Sequence, residues 1–284
     1  MRSWLPVAAV LLAAQAAPAL ADRDPYSGAP LRPVKKHEAP SPITDHFYIV
    51  GAWYGPTLRT NIRVDPTNTP GRTGTPVNAE SAFGLPRRVP QGTVEFMFRL
   101  RERNKVRVDY FEANRSASTV LTHEIIFGNE TFAAGQRAQT TLDWQQFSIT
   151  YTYSFIRNSR FELGTGIAVY FLQLNAIGQV LAQYQYEDVS AATPLPALPL
   201  DFTWAIAPRW SATAHGAYLK TNAGGFHGWY ATYQENIQYR WNPNFAVGLG
   251  YSSIRTSVTR RGGSSPGEFA LSINGPEAFI RLSF

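Results

Sequence analysis

Hydrophobic and polar residues alternate one by one along most of this chain, and the clearest case is its last segment. From Pro276 to Phe284 every second residue is apolar, whereas Glu277 and Arg281 occupy positions between them. Successive side chains of a β-strand point to opposite faces, so this period of two predicts a strand with one apolar and one polar face. The same alternation predicts ten strands in all: residues 44–54, 92–101, 105–114, 140–155, 160–173, 196–206, 209–219, 228–241, 245–256 and 270–284.

Short and long connections alternate between these predicted strands. Four connections are tight and rich in turn-forming residues: 101–104, 157–160, 207–209 and 242–244. The others are longer and lack a clear period: 55–90, 115–137, 175–195, 221–226 and 257–268. Short turns on one side and long loops on the other are typical of membrane-spanning barrels. The sequence therefore predicts an all-β protein, a single antiparallel up-and-down transmembrane β-barrel of about ten strands. Eight or twelve strands are the alternatives if the first strand or the 55–90 segment is misread.

The two faces of the predicted strands differ in chemistry. The apolar face is expected to meet lipid, because a barrel of ten strands has only a narrow polar space inside. Charged and polar residues of the inner face form the candidate lumen site: Glu95, Arg99, Arg107, Asp109, Asp201, His215, Glu277 and Arg281. One interpretation is a set of paired charges that fills the interior, since buried ions persist when they are paired and hydrogen-bonded. The other is a passage for small solutes lined by opposite charges.

One residue does not fit the assignment of faces. Glu235 lies on the face that also carries Tyr233 and Ile237, which is the lipid-facing side of its strand. A carboxylate in the middle of a bilayer is costly. We therefore predict a β-bulge that turns Glu235 inward, and the alternative is that this residue marks a contact with another molecule.

The start of the chain predicts export. Arg2 is followed by an apolar run from Leu5 to Leu20, and small residues precede a cleavage site after Ala21. This pattern predicts a signal peptide at residues 1–21, with an uncleaved anchor as the alternative. Residues 22–42 are rich in proline and charge, and are expected to be a flexible periplasmic segment or, alternatively, a plug. The barrel is expected to occupy residues 43–284.

Composition narrows the possible functions. The chain has no cysteine, which excludes a disulfide-stapled scaffold, a thiolate nucleophile and a cysteine metal site. Its formal net charge of +6 is not concentrated in a cluster that predicts nucleic-acid binding. The sequence gives no reason to expect a cofactor or a metal ion.

A hydrolase with a site at the extracellular rim is the alternative function. Its candidate residues lie in or beside the long loops: His123, His227, Glu187 and Asp188. Neighbouring residues of a strand point to opposite faces, so His123 and Glu124 cannot form a dyad by themselves. The chain contains no His-Glu-x-x-His motif and no phosphate-binding loop. No catalytic residue is assigned, and a protein without enzymatic activity is the favoured interpretation.

The signal peptide, the order of turns and loops, and the terminal segment Ala278–Phe284 resemble those of bacterial outer-membrane β-barrel proteins. The resemblance implies residence in the outer membrane among its lipids and lipopolysaccharide. It also implies that the barrel-assembly machinery recognises the last strand, with Phe284 as the assembly signal. Length and strand count further resemble the omptin proteases, but no acidic pairs stand at matching rim positions. We expect a monomer with a narrow, charge-filled interior and a structural, interaction or small-solute passage role.

Overall fold

A computed structural model describes residues 41–284 except 70, 181–184, 224 and 263–265. For residues 180, 185–193, 223 and 226 it describes the backbone alone. The predicted signal peptide and residues 22–40 lie outside the described part, so those two predictions stay predictions.

The described residues form fourteen strands and one short helix. In chain order they are β1 (Phe47–Tyr54), β2 (Thr57–Val64), β3 (Val77–Asn78), α1 (Ala79–Ala82), β4 (Gln91–Arg101), β5 (Asn104–Val120), β6 (Ile125–Phe127), β7 (Glu130–Phe132), β8 (Arg137–Arg157), β9 (Phe161–Val180), β10 (Gln185–Ala207), β11 (Trp210–Ala223), β12 (Phe226–Asn242), β13 (Phe245–Arg260) and β14 (Gly267–Ser283). No helix among the described residues has the length and apolar character needed to cross a membrane.

Ten of these strands close into an antiparallel barrel: β1, β4, β5 and β8 to β14. Strand β1 pairs with β4 on one side and with β14 on the other, from Tyr48 opposite Ser283 to Tyr54 opposite Glu277. Phe284 extends the seam, because its N–H donates to Phe47 O at 2.8 Å and its carbonyl accepts from Phe47 N at 3.1 Å. Closure satisfies the backbone groups of both end strands, as a barrel in lipid requires. The predicted fold and strand count are confirmed.

The wall near the first strand is longer than predicted. Strand β2 continues the line of β1 after an interruption at Gly55 and Pro56, and it pairs with β14 from Asn274 to Gly267. Proline lacks an N–H group, so the hydrogen-bond ladder breaks at Pro56 and resumes at Thr57. The inward side chains of β2 are buried: Leu58, Thr60, Ile62 and Val64. The predicted 55–90 loop thus contains a strand.

Outward-facing side chains form an apolar belt around the barrel. On β8 the outward residues from Phe147 to Phe155 are all apolar or tyrosine, and each is between 38% and 46% exposed. A tilted strand crosses the hydrocarbon layer in about 9–11 residues, which this stretch provides. Exposed aromatic residues lie near the short turns, where an interfacial girdle is expected: Trp204, Trp210, Trp241 and Phe284. In membrane-spanning barrels of this kind the short turns lie on the periplasmic side, so we take this end of the barrel as periplasmic.

The strands continue well beyond the belt on the other side. Strands β8, β9 and β10 have 21, 20 and 23 residues, about twice the length that a bilayer needs. The outer halves of β8 and β9, together with strands β2 and β3, helix α1 with the residues up to Leu85, and the β6–β7 hairpin, surround an apolar cluster that includes Phe83, Leu121, Ile125 and Phe132. We call this assembly the extracellular cap. It gives the outer end of the barrel a core of its own.

Glu235 faces outward, and the predicted bulge is wrong. Strand β12 keeps an unbroken register at this position, with Glu235 opposite Ala214 on β11 and Tyr251 on β13. The inward neighbours explain why: Gln234 donates to Glu277 at 2.9 Å, and Asn236 accepts from the Thr213 hydroxyl at 2.8 Å. Turning Glu235 inward would break both contacts. The only register shift recorded for β12 in the described pairs lies at the periplasmic turn.

Candidate functional site

The periplasmic mouth of the barrel is closed by the residues that precede β1. Thr44 and Asp45 both donate their N–H to the carbonyl of Ser41, and Ser41 N donates to Thr44 Oγ1 at 2.9 Å. This turn places Ile43, which is fully buried, inside the mouth. Arg157 at the end of β8 donates to the Ile43 carbonyl at 3.2 Å. We call residues 41–46 the floor segment.

Asp45 is the anchor of the floor segment. Its carboxylate accepts two hydrogen bonds from Arg240, at 2.7 and 3.1 Å, and one from Arg281 at 3.1 Å. The Ser283 hydroxyl donates a further bond at 2.8 Å. Arg281 also lies over the ring of Tyr48, 3.6 Å from its centre. One carboxylate therefore pairs with two arginines, from β12 and β14, which lowers the cost of burying their charges.

A second ion pair, just above the floor segment, joins two strands that are three places apart in the wall. Arg99 on β4 donates two hydrogen bonds to Glu162 on β9, at 2.7 and 2.9 Å, and both side chains are 1% exposed. Ser154 donates to the same carboxylate at 2.6 Å, and Lys105 Nζ lies 3.5 Å from it. Such two-pronged arginine–carboxylate pairs are geometrically specific as well as strong. Arg99 and Glu162 therefore connect two parts of the wall through the lumen at this level.

The next level contains a charged triad. Arg107 Nη1 on β5 donates to Asp201 Oδ1 on β10 at 3.1 Å. His215 Nδ1 on β11 lies 2.8 Å from Arg107 Nη1 and 3.1 Å from Asp201 Oδ1. Thr152 donates to the second oxygen of Asp201 at 2.9 Å. Arg107 Nε is 3.6 Å from Asp109, which accepts from Ser148 at 2.8 Å.

A small polar cavity of about 100 Å³ lies above the triad. Arg107, Asp109 and His215 line its base, together with Glu95 and Glu277. Both glutamates have neutral donors: the Tyr48 hydroxyl donates to Glu95 at 2.5 Å, and Gln234 Nε2 donates to Glu277 at 2.9 and 3.0 Å. Among the described residues, no group of three or more His, Asp or Glu side chains is arranged to hold a metal ion.

A layer of apolar and aromatic side chains covers this cavity on the extracellular side. It joins residues from most of the wall: Tyr54, Leu58, Phe111, Trp144, Tyr170, Tyr230, Ile254, Leu271 and Ile273. The rings of Tyr170 and Tyr230 meet with centres 4.9 Å apart, and Tyr230 is fully buried. Their rings fill the middle of the lumen at this level. We call this group the apolar layer.

A fourth buried ion pair, on the extracellular side of the apolar layer, links the wall to the extracellular cap. Arg115 on β5 donates to Glu80 of α1 at 2.6 Å, and both side chains are 1% exposed. Arg115 also donates to the Thr60 hydroxyl at 2.6 Å, while Thr60 N donates to Glu80 at 2.9 Å. Asn78 caps α1 by accepting from Ser81 N at 3.1 Å, which holds Glu80 toward β5. The cap is therefore tied to the wall.

The rim residues proposed for a hydrolase do not form a dyad in the described part of the chain. His123 Nδ1 lies 3.1 Å from the Thr122 hydroxyl, and His227 Nδ1 lies 2.7 Å from the Asn222 side-chain oxygen. The side chains of Glu187 and Asp188 lie outside the described residues. Residues 263–267 read Gly-Ser-Ser-Pro-Gly, the spacing of a nucleophile elbow, which in hydrolases lies between a strand and a helix. Here residues 263–265 lie outside the described part of the chain, and Gly267 begins strand β14.

Comparison with solved structures gives matches to outer-membrane barrels. The outer membrane protease OmpT from Escherichia coli matches over 84% of this chain and 96% of its own, with a TM-score of 0.51 at 10% sequence identity. Ail, the attachment invasion locus protein of Yersinia pestis, matches over 83% of this chain and 99% of its own, with a TM-score of 0.34 at 7% identity. No protein-family profile and no curated protein matches the sequence.

The chain has the fold of a bacterial outer-membrane β-barrel. The closed wall and its apolar belt suit a bilayer, and barrels of this fold span the outer membrane. The outer membrane is thus the location of this protein, in agreement with the expectation from its sequence.

The interior of this outer-membrane barrel contains charged residues that the sequence did not single out. Lys105, Glu162 and Arg240 lie on the polar faces of their strands, so alternation alone could have found them. Alternation could not identify Asp45 as an inward residue. The inward residues of β1 have even numbers, so continuing the pattern would place the odd-numbered Asp45 on the outer face. Asp45 precedes the strand, and its direction is set by the turn at Ser41.

Proposed function

We propose that this protein is a sealed outer-membrane barrel with a structural or interaction role, exerted through its extracellular cap. The observation that carries the proposal is the apolar layer, which lies between the polar cavity and the cap. The ion pairs on the periplasmic side of the apolar layer also occupy the lumen and narrow it further. A passage for small solutes would need a continuous polar path, and the apolar layer interrupts it.

The extracellular cap supports an interaction role. Its apolar cluster and the buried pair of Arg115 and Glu80 give it a defined shape rather than a set of loose loops. A rigid scaffold that displays surface loops is the usual setting of a binding surface. The cap therefore provides a preformed platform outside the cell.

We further propose that Phe284 serves as the assembly signal of the barrel. Its side chain is 66% exposed at the periplasmic end and stacks on Phe47, with ring centres 5.9 Å apart. It stands at the last position of the closing strand, where the assembly machinery can reach it.

Single-channel recording tests the sealed barrel. Refolded protein in a planar bilayer is expected to give no stable conductance steps, whereas an open porin in the same bilayer gives them. Large and long-lived openings would refute the seal and favour a pore. The control is a gel that shows heat-modifiable migration for the recorded sample, because unfolded protein would also fail to conduct.

A further inference from the structure

A row of basic residues without partners in the described part of the chain lies on the outer surface of the barrel. Ser272 on β14 is opposite Arg59 on β2 and opposite Arg255 on β13. Residues that face each other across adjacent strands share one face, so these three side chains stand side by side. Neighbouring strands are about 4.8 Å apart, which puts the two arginine Cα atoms about 10 Å apart. Arg88 is opposite Thr57 and extends the same surface.

We call Arg59, Arg88, Arg255 and Ser272 the rim patch. The three arginines are exposed, and none has an ion-pair or hydrogen-bond partner among the described residues. The next acidic residue on this face of β14 is Glu268, four residues from Ser272, and Arg63 engages it at 3.1 Å. The positive charge of the rim patch is therefore available to a ligand.

A chain of hydrogen bonds leaves one further donor in the rim patch. The Ser253 hydroxyl donates to Asn274 Oδ1 at 2.6 Å, and Asn274 Nδ2 donates to Ser272 Oγ at 2.9 Å. Because the Ser272 oxygen already accepts, its own proton is free to be donated. No described acceptor takes that proton. A hydroxyl donor thus lies on the strand between those that carry Arg59 and Arg255.

The depth of the rim patch matches the headgroups of the extracellular leaflet. Ser272 is twelve residues from Phe284 along β14. With a rise of about 3.3 Å per residue and a tilt of about 40°, it lies roughly 30 Å above the periplasmic boundary. The apolar band of such barrels is about 25 Å tall. Below Ser253 and Asn274, which adjoin the patch, the outward residues are apolar or aromatic: Trp53, Tyr251, Pro276 and Ile280.

We propose that the rim patch binds the phosphate groups of lipopolysaccharide in the outer leaflet. The planar guanidinium fork matches phosphate oxygens, and such charge-assisted hydrogen bonds are strong. The acyl chains of the same lipid would then lie along the apolar belt beneath the patch. This assignment is independent of whether the lumen is sealed.

The test measures binding of lipid A with both phosphates to purified, folded protein in detergent. The variant Arg59→Gln/Arg255→Gln is compared with Arg101→Gln/Arg137→Gln, which removes the same charge from exposed sites away from the patch. The patch variant is expected to bind at least about tenfold more weakly, because hydrogen bonds to charged groups are lost. The control variant is expected to bind as the unaltered protein does. Heat-modifiable migration confirms that each variant is folded.

Two further ligands test whether the rim patch recognises the phosphate groups of lipid A and whether the acyl chains contribute to binding. Dephosphorylated lipid A is expected to bind the unaltered protein and the patch variant equally weakly. Inorganic phosphate is expected to compete poorly, because it lacks the acyl chains. Equal binding of lipid A by both double variants would overturn the proposal, as would equal binding of lipid A with and without phosphates. Competition by inorganic phosphate at the concentration of lipid A would show a free-phosphate site instead and refute the lipid assignment.

Discussion

Asp45 and Arg240 are 195 residues apart in the sequence, yet Arg240 donates two hydrogen bonds to the Asp45 carboxylate, at 2.7 and 3.1 Å. The pair ties the residues before the first strand to the periplasmic end of β12. Arg281 and Ser283 of the last strand bind the same carboxylate. One side chain therefore holds the two ends of the barrel seam together and closes the periplasmic mouth.

Replacing Asp45 with Asn is predicted to destabilise the barrel by about 3–5 kcal/mol, because Arg240 and Arg281 would keep buried charges without a counterion. The measurement is the free energy of unfolding in urea for protein folded into lipid vesicles. The control is Glu268→Gln, since Glu268 is 53% exposed and its pair with Arg63 is worth less than about 1 kcal/mol. Equal losses in the two variants would contradict the role of Asp45.

Replacing Glu235 with Leu is predicted to stabilise the barrel in lipid by up to about 1 kcal/mol, because a carboxylate without a described partner leaves the apolar belt. Gln234→Leu, one residue away but on the inward face, is predicted to destabilise it by removing the contact with Glu277. Unfolding in lipid vesicles measures both changes. The opposite order of stabilities would show that Glu235 points inward and that the register of β12 is shifted.

Replacing Phe284 with Asp is predicted to hinder assembly in the cell, because the change removes the terminal aromatic ring and puts a charge at the closing seam. Phe284→Tyr keeps the ring and is predicted to assemble normally. Heat-modifiable migration and outer-membrane fractionation measure folding and location. Normal yield of folded Phe284→Asp in the outer membrane would remove Phe284 from the role of assembly signal.

The wall of the barrel was predictable because lipid and lumen impose opposite polarity on alternate residues. That signal fades beyond the belt, where both faces meet water or the cap: the outward residues of β8 there are Gln139, Thr141, Asp143 and Gln145. Strand β2 was missed because Pro56 interrupts the hydrogen-bond ladder after β1. Pairing with β14 nevertheless resumes at Thr57, so the barrel wall continues. The extracellular ends of the strands and the extracellular cap therefore could not be predicted from the sequence and became visible only in the structure.

The contacts inside the lumen were predictable in kind but not in detail. Alternation places Arg107 and Asp201 on inner faces, but the register and curvature of the wall decide that they meet. For Glu235, the general cost of a charge in lipid predicted a bulge. The hydrogen bonds of Gln234 and Asn236 outweigh that cost, and such side-chain contacts are not visible in a sequence.

The central claim is that the apolar layer seals the lumen, and thiol labelling tests it most directly. The chain has no cysteine, so single cysteines can be placed without background. Ser148→Cys lies in the polar cavity and Ser118→Cys on the exposed end of β5. A charged, membrane-impermeant thiol reagent applied outside the cell is predicted to label Ser148→Cys more than about tenfold more slowly than Ser118→Cys. Adding Tyr170→Ala and Tyr230→Ala should raise the rate at Ser148→Cys, which controls for intrinsic reactivity. Equal labelling of Ser148→Cys and Ser118→Cys in the otherwise unaltered protein would contradict the sealed barrel.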